Sequence, residues 1–203
     1  MAQVRKRVLF VTGNPGKALE VNRVLGETFK VDNLSVDVEE IQGSEEEIAI
    51  SKCRRASEMG SVQQPIFTED VSLRFHALEG LPGPYIKWFW SSLGCEGLHK
   101  MLLGFENKKA TAVCTYAFCA GPGQEPIVFQ GTAEGTIVAP RTVRNFGWDP
   151  IFQPDGHDLT YDEMDLDEKN KISHRGKGLA KLREFLLENA SLLPDAEEDE
   201  EEA

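Results

Sequence analysis

The sequence predicts an α/β fold, and three stretches predict it. An apolar run, Val-Leu-Phe-Val at residues 8–11, passes through Thr12, Gly13 and Asn14 into a helical pattern. An alternating stretch at residues 31–41 leads to Ser44 and Glu47, spaced as a helix-opening capping box. Two strand-like stretches, residues 110–120 and 127–138, precede a closing helix headed by Ser173. At 203 residues the chain supports one sizeable core, or at most two small lobes sharing a cleft. One domain over residues 1–193 is expected, followed by an acidic, disordered tail at 194–203.

The first strand delivers a helix N-terminus. Asn14 can cap that helix and Pro15 suits its first position, so backbone amides and the positive dipole end gather beside Gly16 and Lys17. Such a corner favours an anion, above all phosphate; the plainer alternative is an ordinary turn with a solvated lysine. The helix continues through Val21, Val24 and Leu25 to a stop at Gly26. In the alternating stretch Val36, Val38 and Glu40 share a face, which places Glu40 either at a cleft mouth, able to hold a metal ion, or in solvent after the strand has ended. The helix opened by Ser44 buries Ala49, Cys53 and Ala56 on one stripe, with Lys52 beside it.

Residues 65–71 read as a short strand ending in acid, Glu69-Asp70, with Asp70 on the face shared by Ile66 and Thr68. Two acids at a buried strand end can place a divalent cation or activate water. Gly80-Leu81-Pro82-Gly83-Pro84 is a rigid turn, after which Lys87 sits among aromatics, either snorkelling to water or meeting an anion. A helix through Leu98 and Met101 ends at Gly104. The loop at residues 141–156 carries Phe146, Gly147, Trp148 and Asp149, whose aromatic faces could stack on a base or pack in the core. In the last helix Leu179, Leu182 and Leu186 form the buried stripe. His174, Arg175 and Lys177 crowd its positive dipole end, which calls for something negative there, and Lys169 lies just upstream.

Composition excludes several classes. The formal charge is −12, but Asp195 and the acids among residues 197–202 supply seven negative charges, leaving −5 for the rest. No basic cluster offers a nucleic-acid footprint, and no apolar run is long enough to span a membrane. No signal peptide is recognisable, so a cytoplasmic protein is expected. Cys53, Cys95, Cys114 and Cys119 form no CxxC pair and read as reduced, partly buried thiols.

Taken together, Thr12-Gly13-Asn14 with Lys17, Glu69-Asp70, the turn through Tyr85-Ile86-Lys87, Phe146-Gly147-Trp148-Asp149-Pro150 and Ser173-His174-Arg175 stand in the order and spacing of the inosine triphosphate pyrophosphatases. The chain resembles the eukaryotic type of that family to about residue 190. The resemblance implies an elongated two-lobed fold with a long mixed central sheet, the active cleft between the lobes, and a homodimer. It implies Mg²⁺-dependent hydrolysis of non-standard purine triphosphates (ITP, dITP, XTP) to the monophosphate and pyrophosphate, with Mn²⁺ as a substitute metal. By the same pattern residues 12–17 (Thr12, Gly13, Asn14, Pro15, Gly16, Lys17) and Lys52 cradle the triphosphate. Glu40 and Asp70 match metal ligands, and Asp70 with adjacent Glu69 matches the catalytic acids. Val71 offers its backbone, Lys87 and Lys169 contact substrate, and Phe146, Gly147, Trp148, Asp149, His174 and Arg175 hold the base. Val71 departs from the Ser or Thr of many members, so a hydroxyl contact is lost. A fixed donor such as Arg175 would favour a 6-carbonyl over the amino group of adenine.

Two rivals are weighed against this. A P-loop fails, because Gly13 and Gly16 are too close and Ala18 follows the lysine. A non-catalytic nucleotide-binding or sensor module would keep the pocket without Glu40 and Asp70, and both are present.

Overall fold

The computed structural model describes residues 5–60, 62–142 and 147–196. Phe146 and residues 197–203, which hold most of the acidic tail, lie outside them. A seven-stranded mixed sheet carries five helices: β1 (Lys6–Val11), α1 (Pro15–Leu25), β2 (Phe29–Leu34), α2 (Glu45–Ser57), β3 (Ile66–Phe75), β4 (Pro82–Gly83), α3 (Ile86–Met101), β5 (Lys109–Cys119), β6 (Ile127–Ile137), β7 (Phe152–Pro154), α4 (Leu166–Ile172) and α5 (His174–Glu188). The strand order is β2-β1-β3-β5-β6-β7, with β4 beside β3. β1 is parallel to β2 and β3, and the remaining pairs are antiparallel.

The register creates a gap. β1 pairs with β3 only at Leu9–Ile66 and Phe10–Phe67, and β4 joins β3 again at Leu73 and Arg74. Across residues 68–72 the edge of β3 facing away from β5 therefore has no strand partner, and Glu69 and Asp70 lie at its centre. Three apolar clusters surround this point. Val8, Phe10, Val21, Phe67, Leu179 and Leu182 pack between the sheet and α1 and α5, with Phe10 stacked on Phe67 at 4.6 Å. Leu9, Val11, Ala49, Cys53 and Ile66 pack under α2. Leu73, Ile86, Leu98, Trp148, Phe152 and Tyr161 form a separate core at the α3 end. Each fully buried large side chain contributes roughly 1.5–3 kcal/mol of transfer free energy.

Several boundaries move from their expected places. β2 ends at Leu34, so Val36, Val38 and Glu40 alternate along a stretch without a strand partner, although Val38 is buried. β3 runs through its two acids to Phe75, because lysine and arginine side chains from elsewhere neutralise them in mid-strand. α3 begins at Ile86, earlier than expected, and bends at Gly94, whose φ of 62° suits a residue without Cβ. α4, capped by Asp165, was not legible. The ordered chain also passes residue 193: the Arg7 amide donates to the Pro194 carbonyl, the Ala196 amide to the Arg5 carbonyl, and Asp195 pairs with Lys6. The capping box, the stripe of α2 and the Ser173 cap of α5 form as expected. All four cysteines are free thiols.

Candidate active site

A cleft of about 850 Å³ opens at the gap in the sheet, a size suited to a small-molecule ligand. One wall is the turn from β1 into α1. Asn14 Oδ1 accepts from the Gly16 and Lys17 amides at 2.9 and 3.3 Å, so the cap itself occupies two of the donors expected to face an anion. The Lys17 ammonium reaches across to Glu69 Oε2 at 2.6 Å.

The floor is β3, and its two acids differ. Glu69 is 3 % exposed and ion-paired to Lys17 and Arg175, and the Cys114 thiol donates to its Oε1. Burial works to raise its pKa, but Lys17 and then Arg175 overcome this and hold the carboxylate well below the usual range. The acid expected to share catalysis with Asp70 therefore meets two cations and a thiol within the protein. Asp70 faces the α2 side, where its Oδ1 accepts from Lys52 at 2.7 Å while its buried Oδ2 has no hydrogen-bond partner. Glu40 Oε1 meets the same ammonium at 2.8 Å. Burial opposes it, yet Lys52, helped by Lys87 and Lys17, holds the Glu40 carboxylate below its ordinary range.

Two converging carboxylates and an unpartnered buried oxygen are the hard donor set that suits a magnesium ion completed by phosphate and water. No cluster of three or more metal-binding side chains occurs among the described residues, so any ion held here must take its other ligands from substrate and solvent. Val71 lines the cleft beside these acids. The Glu69 carbonyl accepts from Lys17 on the unpaired edge, and alternation along the strand turns the Val71 amide and carbonyl to the same side.

Gly147, Trp148, Asp149, His174 and Arg175 line the opposite end of the cleft, and Lys87 its rim. Trp148 belongs to the α3-side core and packs on Phe152, Tyr161 and His174, so core packing and cleft lining are both its work. His174 is 1 % exposed with both ring nitrogens unpartnered. Burial, then Arg175 and Lys169, push its pKa well below the usual value, so the ring is neutral.

Two expectations change here. Lys169 is buried behind the wall, paired with Asp149 and Glu20, rather than presented to the cleft. The Arg175 guanidinium bonds to Glu20 and Glu69, so the negative groups called for at the α5 N-terminus come from the protein itself. Lys177 turns away to the Thr132 carbonyl. Glu20, 5 % exposed, was missed by sequence reasoning. Its only signal was an acid beside the buried stripe of α1. The charges now read in alternation from the turn after β1 to the residues beside Trp148: Lys17, Glu69, Arg175, Glu20, Lys169, Asp149. Burial pushes the Asp149 carboxyl up, with Lys169 pulling against it.

The buried neutral His174 sets a pH dependence. Its folded pKa lies below its unfolded value of about 6.5, so the unfolded chain binds the extra proton and stability is lost as pH falls below 6.5. Urea melts at pH 7.5 and 5.5 should show His174→Phe losing about 1 kcal/mol less than the parent over that interval. An unchanged interval would show that His174 takes up its proton over the same pH range in the folded and unfolded chain.

The fold and the cleft define a mixed-sheet α/β protein with a charged crevice at the carboxyl end of its parallel strands, where ligands enter folds of this class. The sequence profile of the Ham1 family matches residues 8–185, and the chain belongs to the Ham1 family. Inosine triphosphate pyrophosphatase from Ajellomyces capsulatus is 56% identical over 183 residues, covering 90% of this chain and 98% of the relative. The protein of the same name from Emericella nidulans is 56% identical over 186 residues, covering 92% and 100%. Among solved structures, a HAM1 protein from Coxiella burnetii superposes with a TM-score of 0.80 at 27% identity, covering 90% of this chain and 99% of that one.

Proposed function

We propose that this protein is a nucleoside triphosphate pyrophosphatase that cleaves ITP, dITP and XTP between the α and β phosphates, releasing the monophosphate and pyrophosphate. Its similarity to proteins named inosine triphosphate pyrophosphatase supports the substrate class. The observation that carries the reading is that one cleft is lined together by lysines and a helix N-terminus, by Glu40 and Asp70, and by the Trp148–His174 pair.

Lys17, Lys52 and Lys87 neutralise the triphosphate, and the dipole of α1 adds to them. Glu40 and Asp70 would hold Mg²⁺ or Mn²⁺, which would supply charge neutralisation at the phosphate oxygens. Asp70 Oδ2, the acceptor without a partner, orients the attacking water and takes its proton. Glu69 holds Lys17 and Arg175 in place. The base stacks against Trp148, and the neutral His174 ring offers it one donor and one acceptor. With Arg175 committed to Glu20 and Glu69, recognition of the 6-carbonyl falls to His174 and to backbone groups rather than to a free guanidinium.

The reading carries with it a cytoplasmic homodimer that acts on small molecules and not on nucleic acid or membranes. Among the described residues no helix is long and apolar enough to cross a membrane. Exposed Leu81, Trp88, Leu93, Leu103 and Phe105, on and around α3, supply apolar surface for a second copy, which sedimentation equilibrium would detect.

Phosphate assayed from ITP, with and without added inorganic pyrophosphatase, should appear only when the auxiliary enzyme is present, and turnover of ATP should be at least 10³-fold slower, within the range that unpaired buried polar groups can enforce. Direct orthophosphate release would make the protein an ordinary phosphatase. ITP binding without pyrophosphate formation would leave the non-catalytic binding module.

A further inference from the structure

The Lys52 ammonium occupies the point on which Glu40 and Asp70 converge. It lies 2.8 Å from Glu40 Oε1 and 2.7 Å from Asp70 Oδ1, on a side chain only 15% exposed. Lys52 comes from the middle of α2, Glu40 from the stretch before that helix, and Asp70 from the part of β3 that only β5 flanks. Three separate segments therefore meet at one cation, and the capping box that starts α2 fixes where that cation falls.

Two carboxylates that share an ammonium at hydrogen-bond distance must draw closer to share a divalent ion, whose oxygens sit at about 2.0–2.1 Å for magnesium. The ammonium and the ion cannot both occupy the space between them, since like charges at that separation repel strongly. On this reasoning, which rests on the metal-binding role proposed above, we infer that Lys52 is a built-in placeholder for the divalent cation. It keeps Glu40 and Asp70 together as a preformed pair and resists loading of bare metal. It yields when a triphosphate supplies oxygens to receive its ammonium. Metal and nucleotide binding are thereby coupled through one side chain, and the coupling is reciprocal.

The test is titration of the full chain with Mn²⁺ in the absence of nucleotide, with free ion read by electron paramagnetic resonance. Lys52→Met should bind Mn²⁺ at least ten-fold more tightly than the parent. Lys87→Met removes the same charge from the cleft rim without touching either carboxylate and should shift affinity less than three-fold. Equal effects of the two substitutions would reduce the role of Lys52 to general electrostatics and overturn the proposal. So would an unchanged or weakened affinity in Lys52→Met. Lys52→Gln, which retains a hydrogen-bonding end, serves if the methionine variant melts early, and the same ten-fold gain is expected. Adding Glu40→Gln to Lys52→Met separates the two layers of the argument. Loss of the gain places the ion between these carboxylates and supports the placeholder. Persistence of the gain puts the ion elsewhere and removes the metal assignment with the placeholder. If Lys52→Met gives no gain while Glu40→Gln alone weakens Mn²⁺ uptake in the presence of ITP, the metal assignment stands and only the placeholder falls.

Discussion

Asp70→Asn is expected to lower kcat for ITP by 10³-fold or more while leaving the fold in place, a loss within the range for removal of a positioned acid or base. The substitution keeps the shape and one oxygen for Lys52 but removes the charge and the basicity of the buried Oδ2. Nucleotide binding should survive, because Lys17, Lys87 and the base pocket are untouched. Pyrophosphate release measured beside a thermal melt reads both halves of the expectation. A fall in melting temperature of more than about 10 °C with kcat preserved would make Asp70 a structural acid, a shift worth roughly 3–5 kcal/mol in a domain of this size.

Glu69→Gln should behave in the opposite way. Glu69 neutralises Lys17 and Arg175 inside the protein, and Gln leaves both cations short of charge. Breaking a buried ion pair by removing one partner costs about 3–5 kcal/mol. The melting temperature should drop by roughly 6–20 °C. Stability should be measured at neutral pH, where the strongly depressed pKa keeps the native carboxylate charged. If the variant melts like the parent and loses only turnover, Glu69 takes part in the chemistry and the assignment of roles between the two acids reverses. The paired substitutions therefore decide which neighbour holds the site together and which works on the substrate.

Much of the site was legible because its parts are local. The helix opening at Asn14, the capping box at Ser44 and the Ser173 cap announce themselves over three or four residues, and they deliver Lys17, Lys52 and His174. The buried ion pairs were not legible, because Glu20 meets Arg175 across 155 positions of sequence and Glu69 meets it across 106. In isolation each of these acids looks like a solvated side chain or a strand end. That is why β3 was expected to stop at its carboxylates. In the folded protein those charges are matched, and the strand continues to Phe75. Likewise alternation with Val36 and Val38 leaves Glu40 either at a cleft mouth or in solvent beyond the strand, and the contact that locates it is with Lys52.

The missing strand at residues 68–72 has a consequence for solubility. An unpaired sheet edge is a template on which another chain can add a strand and begin to aggregate. Here that edge carries Glu69 and Asp70, and Lys17, Lys52 and Arg175 close over it. An incoming strand would have to break these ion pairs and leave charges it could not satisfy. The gap that admits a small, highly charged ligand is for the same reason closed to another polypeptide.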